Sequence, residues 1–203
     1  MAQPTATGVA HPASVIGPSY CAPHPVDLAI ITKTPTLTDG NFDVIDIQGN
    51  IVFKVRAPFT CFQRARSVLL DAAGNHLVTL RPKLTSSHDR WKVFRGDSTN
   101  SGDLLFSAKR SSMFQCKTTL HVFLANNTRE DVCDFKVKAT FSERSCVIYA
   151  GDSSTEVAQM HKKQSLKSVF LGKDHFMVTV NPNIDYAFIV ALIVILYDIN
   201  RPV

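Results

Sequence analysis

Apolar positions along this chain follow two rhythms. Through most of its length they come in short runs separated by turn residues, and in places the alternation is strict: Phe135-Lys136-Val137-Lys138-Ala139 sends apolar and basic side chains to opposite faces. Phe42 to Ile47, the turn Gln48-Gly49-Asn50 and Ile51 to Val55 read as strand, turn, strand, with the Gly-Asn pair supplying the backbone freedom a tight hairpin needs. Ser67 to Asp71 and Leu77 to Leu80 form a second such pair. Trp91 to Arg95 and Leu104 to Lys109 flank a polar loop, and Leu120 to Leu124 and Cys133 to Thr140 flank another. Cys146 to Ala150, Thr155 to His161 and Phe176 to Val180 complete the series, about a dozen strands without a helical pattern between them.

The second rhythm is continuous. From Ile184 to Ile199, IDYAFIVALIVILYDI has no charge between Asp185 and Asp198 and no polar face. Its β-branched residues suit a strand, but buried strands run about four to eight residues, and the length decides for a helix. Asn183 or Asp185 can cap its first turn, and Asn200, Arg201 and Pro202 form a stop, Arg201 offsetting an Asp198 that opposes the helix dipole. Tyr186 to Tyr197 spans about 18 Å as a helix, against about 30 Å of hydrocarbon in a bilayer. A helix apolar all round and too short to cross a membrane must be enclosed by protein. The pattern therefore predicts a mainly β protein: a closed antiparallel barrel of about twelve strands enclosing a hydrophobic C-terminal helix over 184–199. Closure removes sheet edges and supplies the apolar lining.

Composition adds limits. With 203 residues, 45% apolar and 19% charged, one globular domain is expected over 20–203. Residues 1–19, uncharged and rich in Pro, Ala, Ser, Thr and Gly, are expected to be a disordered tail. That stretch has neither the basic start nor the continuous apolar core of a signal peptide, and Ala2 replaces the Gly required for myristoylation. Five cysteines without a CxxC pair suggest neither zinc nor a disulfide framework, so a reducing, cytoplasmic setting is expected and the Asn126-Asn127-Thr128 sequon is idle there.

The net charge of +5 is spread over the middle of the chain rather than held in a basic tail. Lys109, Arg110, Lys117, Arg144, Lys162, Lys163 and Lys167 stand near strand ends or loops, where converging Lys and Arg side chains can hold a phosphorylated head group. Alternation assigns Lys136 and Lys138 to a solvated strand face. His88, Asp89, His161 and His175 lack metal-ligand spacing, and Cys133 and Cys146 sit in apolar strands as core residues. Without GxSxG, a P-loop or GxGxxG, no hydrolase, nucleotide-binding or dehydrogenase template has an anchor; neither metal nor cofactor is expected. With one Trp and no basic stretch interleaved with aromatics, direct nucleic-acid contact is not expected either.

Thr38 to Val55 (TDGNFDVIDIQGNIVFKV), His88 to Gly96 (HDRWKVFRG), the KRSSM run at Lys109 to Met113, Arg144 to Gly151 (RSCVIYAG) and Val169 to Leu196 carry a family signature. Over residues 20–203 the chain resembles the plant LURP-one-related proteins. The resemblance implies the tubby carboxy-terminal-like fold shared with phospholipid scramblases, a twelve-stranded barrel around a hydrophobic helix. It further implies membrane-lipid binding, since tubby-like proteins are tethered to phosphoinositides and implicated in transcription, and a link to plant defence. The expectation is a non-enzymatic intracellular monomer, peripheral at the plasma membrane or nuclear, that binds anionic lipid. A scramblase-like lipid mover, with the last helix leaving the barrel, and a small-ligand protein or enzyme are the alternatives. Fold kinship alone does not transfer an activity.

Overall fold

The computed structural model describes residues 14–32, 41–57, 66–83, 90–114, 117–140, 145–162 and 175–199. Twelve strands close into one antiparallel barrel: β1 (Val26–Thr32), β2 (Phe42–Ile45), β3 (Ile51–Arg56), β4 (Ser67–Asp71), β5 (His76–Lys83), β6 (Arg90–Arg95), β7 (Leu104–Phe114), β8 (Lys117–Leu124), β9 (Phe135–Thr140), β10 (Ser145–Ala150), β11 (Glu156–Lys162) and β12 (His175–Val180). Each strand pairs with its neighbours in sequence, and β1 closes the ring against β12 from Val26 opposite Val180 to Ile31 opposite His175. Alternation decides the two faces. Phe53 and Val55, Val78 and Leu80, Trp91 and Val93, and Leu120 and Val122 point inward and are 0–1% exposed, with polar residues between them facing out.

The barrel is filled by α1 (Tyr186–Ile199). Ile189, Val190, Ala191, Leu192, Ile193 and Ile195 are all fully buried, so helix and strand lining share one core. Phe188 meets Phe106 edge-on at 5.0 Å and Phe135 at 4.9 Å, while Tyr186 joins Tyr20 and Phe53 near the start of the helix. Among the described residues no helix is long and apolar enough to cross a membrane. The helix begins two residues later than the pattern predicts because Asp185 is its cap: Oδ1 accepts the Phe188 N–H at 3.0 Å.

The other oxygen of Asp185 extends the fold beyond the expected domain. Oδ2 accepts the backbone N–H groups of Val15, Ile16 and Gly17 at 3.0, 2.7 and 3.0 Å, and Ile16 is 5% exposed against the core. Arg95 Nη1 donates to the Ile16 carbonyl on the other side. Residues 1–13 of the expected tail lie outside the described residues, but 14–19 are part of the barrel. A buried carboxylate recruits backbone donors wherever the chain supplies them, and composition cannot register that.

Two hairpins share one turn chemistry. In Asp46-Ile47-Gln48-Gly49-Asn50 and Asp71-Ala72-Ala73-Gly74-Asn75 the Asp carboxylate accepts the Asn backbone N–H (2.9 and 2.8 Å), and the glycines stand at φ +89° and +96°. The first strand consequently stops at Ile45, not Ile47. Other strands run longer than their apolar runs: β7 reaches Phe114 and β8 begins at Lys117, whereas β9 starts only at Phe135.

Candidate anion-binding surface

Antiparallel order gives the barrel two unlike mouths. The entry mouth, where α1 begins, is ringed by the turns 46–50, 72–75, 96–103, 125–134, 151–155 and 181–185. Those turns carry eight carboxylates (Asp46, Asp97, Asp103, Glu130, Asp131, Asp134, Asp152, Asp185) and a single Lys or Arg, Arg129. At the exit mouth β3, β5, β7, β9 and β11 end and β4, β6, β8, β10 and β12 begin. By sequence, the connections 33–40, 58–65, 84–89, 115–116, 141–144, 163–174 and 200–203, which link ends on that side and lie outside the described residues, hold seven Lys or Arg and four Asp or Glu, while Arg66 beside them pairs with Asp97 of the 96–103 turn. The helix dipole runs the same way, its positive end toward the acidic mouth.

Of the cations that sequence reasoning picked out, Lys117 and Lys162 stand at strand ends on the exit side, and Lys109 and Arg110 lie within β7. Lys117 opens β8 and is exposed. Lys109 and Arg110 are split by strand alternation. Lys109 faces out, whereas Arg110 stands opposite the fully buried Leu120, just before a bulge. Lys162 ends β11 in register with Phe176. Arg144, Lys163 and Lys167 lie outside the described residues, Arg144 directly before β10 and Lys163 directly after β11, as do His88 and Asp89.

Register assembles a row that sequence reasoning missed. Lys83, Arg90, Lys109, His121, Lys136 and Tyr149 lie directly opposite one another across β5 to β10, all on the outer face. Arg81 and Lys92 form a shorter row beside it, and Lys138 rests over the Tyr149 ring, 5.1 Å from its centre. Each strand alone shows only scattered basic residues, and the row emerges once pairing is known. The alternation assigned to Lys136 and Lys138 was thus correct as to face, yet it places them beside other cations.

Two carboxylates reach this row from loops. Glu130 forks Arg90, with Nη1 to Oε1 and Nη2 to Oε2 both 2.7 Å, and the Ser107 hydroxyl points at Oε1 from 3.5 Å. The Arg90 hydrogen bonds, then its charge and that of Lys109, hold the Glu130 carboxyl below its usual range, and the same pair raises Arg90. Asp152 pairs with Lys136. His121 is pushed below an ordinary imidazole by partial burial first, then by Lys136 and Lys109 on either side. Cys133 and Cys146 are buried core residues, and burial lifts the Cys146 thiol to about 12. Among the described residues no three His, Cys, Asp or Glu side chains are grouped to hold a metal.

The family model described as LURP-one-related matches residues 26–198, from the first barrel strand to the last turn of α1. Protein LURP-one-related 15 of Arabidopsis thaliana is 58% identical over 187 residues, 92% of this chain and 86% of that protein. Protein LURP1 from the same plant is 51% identical over 190 residues, 94% of this chain and 91% of its own length. Among solved structures, the X-ray structure of an Arabidopsis thaliana protein aligns with a TM-score of 0.73 at 48% identity, covering 93% of this chain and 99% of that one.

Proposed function

The chain belongs to the LURP-one-related family, and we propose that it is a non-enzymatic, intracellular binding protein that docks reversibly on anionic membrane lipid, phosphoinositide in particular. It works as a monomer at the inner face of the plasma membrane or in the nucleus, in the setting of plant defence signalling that the family resemblance implies. The observation that carries this reading is the division of charge along the barrel axis, carboxylates in the turns of one mouth and, by sequence, more Lys and Arg than Asp and Glu in the connections of the other. A surface so divided has one orientation in which an anionic membrane attracts it, with each cation near the lipid contributing about 1 kcal/mol. The helix stays enclosed throughout: its 14 residues span about 21 Å, and its side chains are already fully packed by the strand lining.

Sedimentation with vesicles tests this directly. Phosphatidylcholine vesicles doped with phosphatidylinositol bisphosphate are expected to carry the protein down at low salt, and added salt to release it as screening shortens to about 8 Å near physiological ionic strength. Reversing Lys109, Lys117, Lys162 and Lys163 to Glu is expected to weaken binding by more than about tenfold. No preference over plain phosphatidylcholine at low salt would overturn the reading.

A further inference from the structure

Glu130 is held in an unusual way for a surface carboxylate. Among the described residues it is one of two non-glycines with a left-handed backbone, at φ +54°, and its N–H donates to Asn127 Oδ1 at 3.2 Å. Asn127 in turn is fixed by the Val132 carbonyl and by Asp134 Oδ2, which also accepts the Leu124 N–H. The β8–β9 loop is thus braced in a conformation that costs a Glu about 1 kcal/mol or more, and the result is one carboxylate laid over the outer wall onto Arg90.

We propose that Glu130 is a built-in occupant of a phosphate-binding site whose own ligands are Arg90, Ser107 and Lys109, and that an incoming phosphomonoester displaces it. The inference rests on the anionic-ligand reading above and adds the site and its regulation. A guanidinium fork that accepts two carboxylate oxygens at 2.7 Å accepts two phosphate oxygens equally well, and a serine hydroxyl beside it supplies a further donor. One carboxylate leaves the place under-neutralised. Lys109 stands opposite both Arg90 and His121 and joins no ion pair among the described residues, and after partial burial it and Lys136 hold the His121 imidazole below its ordinary value. A group with nearly two negative charges satisfies Arg90 and Lys109 together and draws a proton onto His121, between Lys109 of β7 and Lys136 of β9. Glu130, released, leaves its left-handed backbone. The loop carboxylate then acts as a threshold: weak or singly charged anions do not dislodge it.

The experiment compares the full chain with Glu130→Gln, using three probes: phosphatidylcholine vesicles with and without phosphatidylinositol bisphosphate, soluble inositol trisphosphate, and inorganic phosphate. The variant is expected to bind phosphorylated probes about fivefold more tightly, the scale of an ion pair removed from competition, and Arg90→Met in the same background to abolish the gain. A gain with vesicles and inositol trisphosphate alike assigns the site to the phosphate group, and a gain with vesicles alone assigns it to the lipid-borne head group; either supports the proposal. If wild type binds and Glu130→Gln binds no better, Glu130 is only a brace and this inference falls while the membrane reading stands. If neither binds any probe, both fall. Should the variant fold poorly, the wild type still decides: inositol trisphosphate is expected to raise the His121 imidazole pKa as followed by NMR, and an unmoved His121 overturns the site.

Discussion

Where α1 enters the barrel, one carboxylate gathers four backbone N–H groups, from Val15, Ile16, Gly17 and Phe188; where it leaves, Trp91 Nε1 and Thr118 Oγ1 are buried with no hydrogen bond among the described residues. Acidic turns ring the first mouth, and the connections at the second are by sequence richer in Lys and Arg than in Asp and Glu. The difference teaches how one carboxylate can fix the start of an enclosed helix: the charge-assisted hydrogen bonds of Asp185 hold its position, and the helix dipole favours a negative group there. At the exit Ser67 Oγ donates to Asp198 Oδ2 at 2.9 Å.

The strongest way to break this contrast is to remove the anchor. Asp185→Ala leaves four N–H groups without their acceptor, two buried (Ile16, Phe188) and two part-buried (Val15, Gly17), and is expected to cost about 3 kcal/mol in urea unfolding, since each unsatisfied buried donor costs about 1–3 kcal/mol. A loss below 1 kcal/mol would show that water or another acceptor replaces the carboxylate. The opposite mouth responds with the opposite sign. Thr118→Val removes a buried hydroxyl that has no partner while keeping the side-chain shape, and is expected to stabilise the protein by about 1 kcal/mol in the same measurement.

A smaller effect separates the basic row from both mouths. Because the folded state lowers the pKa of His121, the unfolded chain binds that proton more readily, so stability falls as pH drops from the ordinary 6.5 through the depressed folded value. His121→Gln is expected to flatten this slope in thermal melts taken across that window. Glu130 has the ordinary acid dependence: its contribution is present above the unfolded value of 4.5 and is lost as pH falls through the lower folded one. Melts of Glu130→Gln are expected to lose that lower step and keep the upper one.

What the sequence made legible and what it hid have different physical ranges. The helix and its enclosure follow from local facts, sixteen residues from Ile184 to Ile199 with no polar face and too little length for a bilayer. The strands follow from alternation and turn residues, both local as well. Asp185 looked like one cap candidate among two; its three further donors lie 168 to 170 residues away, and nothing near it in sequence announces them. The basic row is hidden in the same manner, since Arg90, Lys109, His121 and Lys136 become neighbours only through the pairing of four strands. Sequence reasoning could name basic residues near strand ends or loops, but not the face each one takes: a basic residue's face depends on strand parity, which for Arg110 the buried Leu120 opposite it reveals.

The central claim, that the barrel meets an anionic membrane with its basic side, is tested most directly by reversing one charge at each mouth. Lys117→Glu at the exit and Arg129→Glu in the exposed β8–β9 turn at the entry change net charge equally. In sedimentation with vesicles containing phosphatidylinositol bisphosphate, Lys117→Glu is predicted to weaken binding severalfold and Arg129→Glu to leave it near wild type. Equal losses from the two, or a larger loss from Arg129→Glu, would contradict the account.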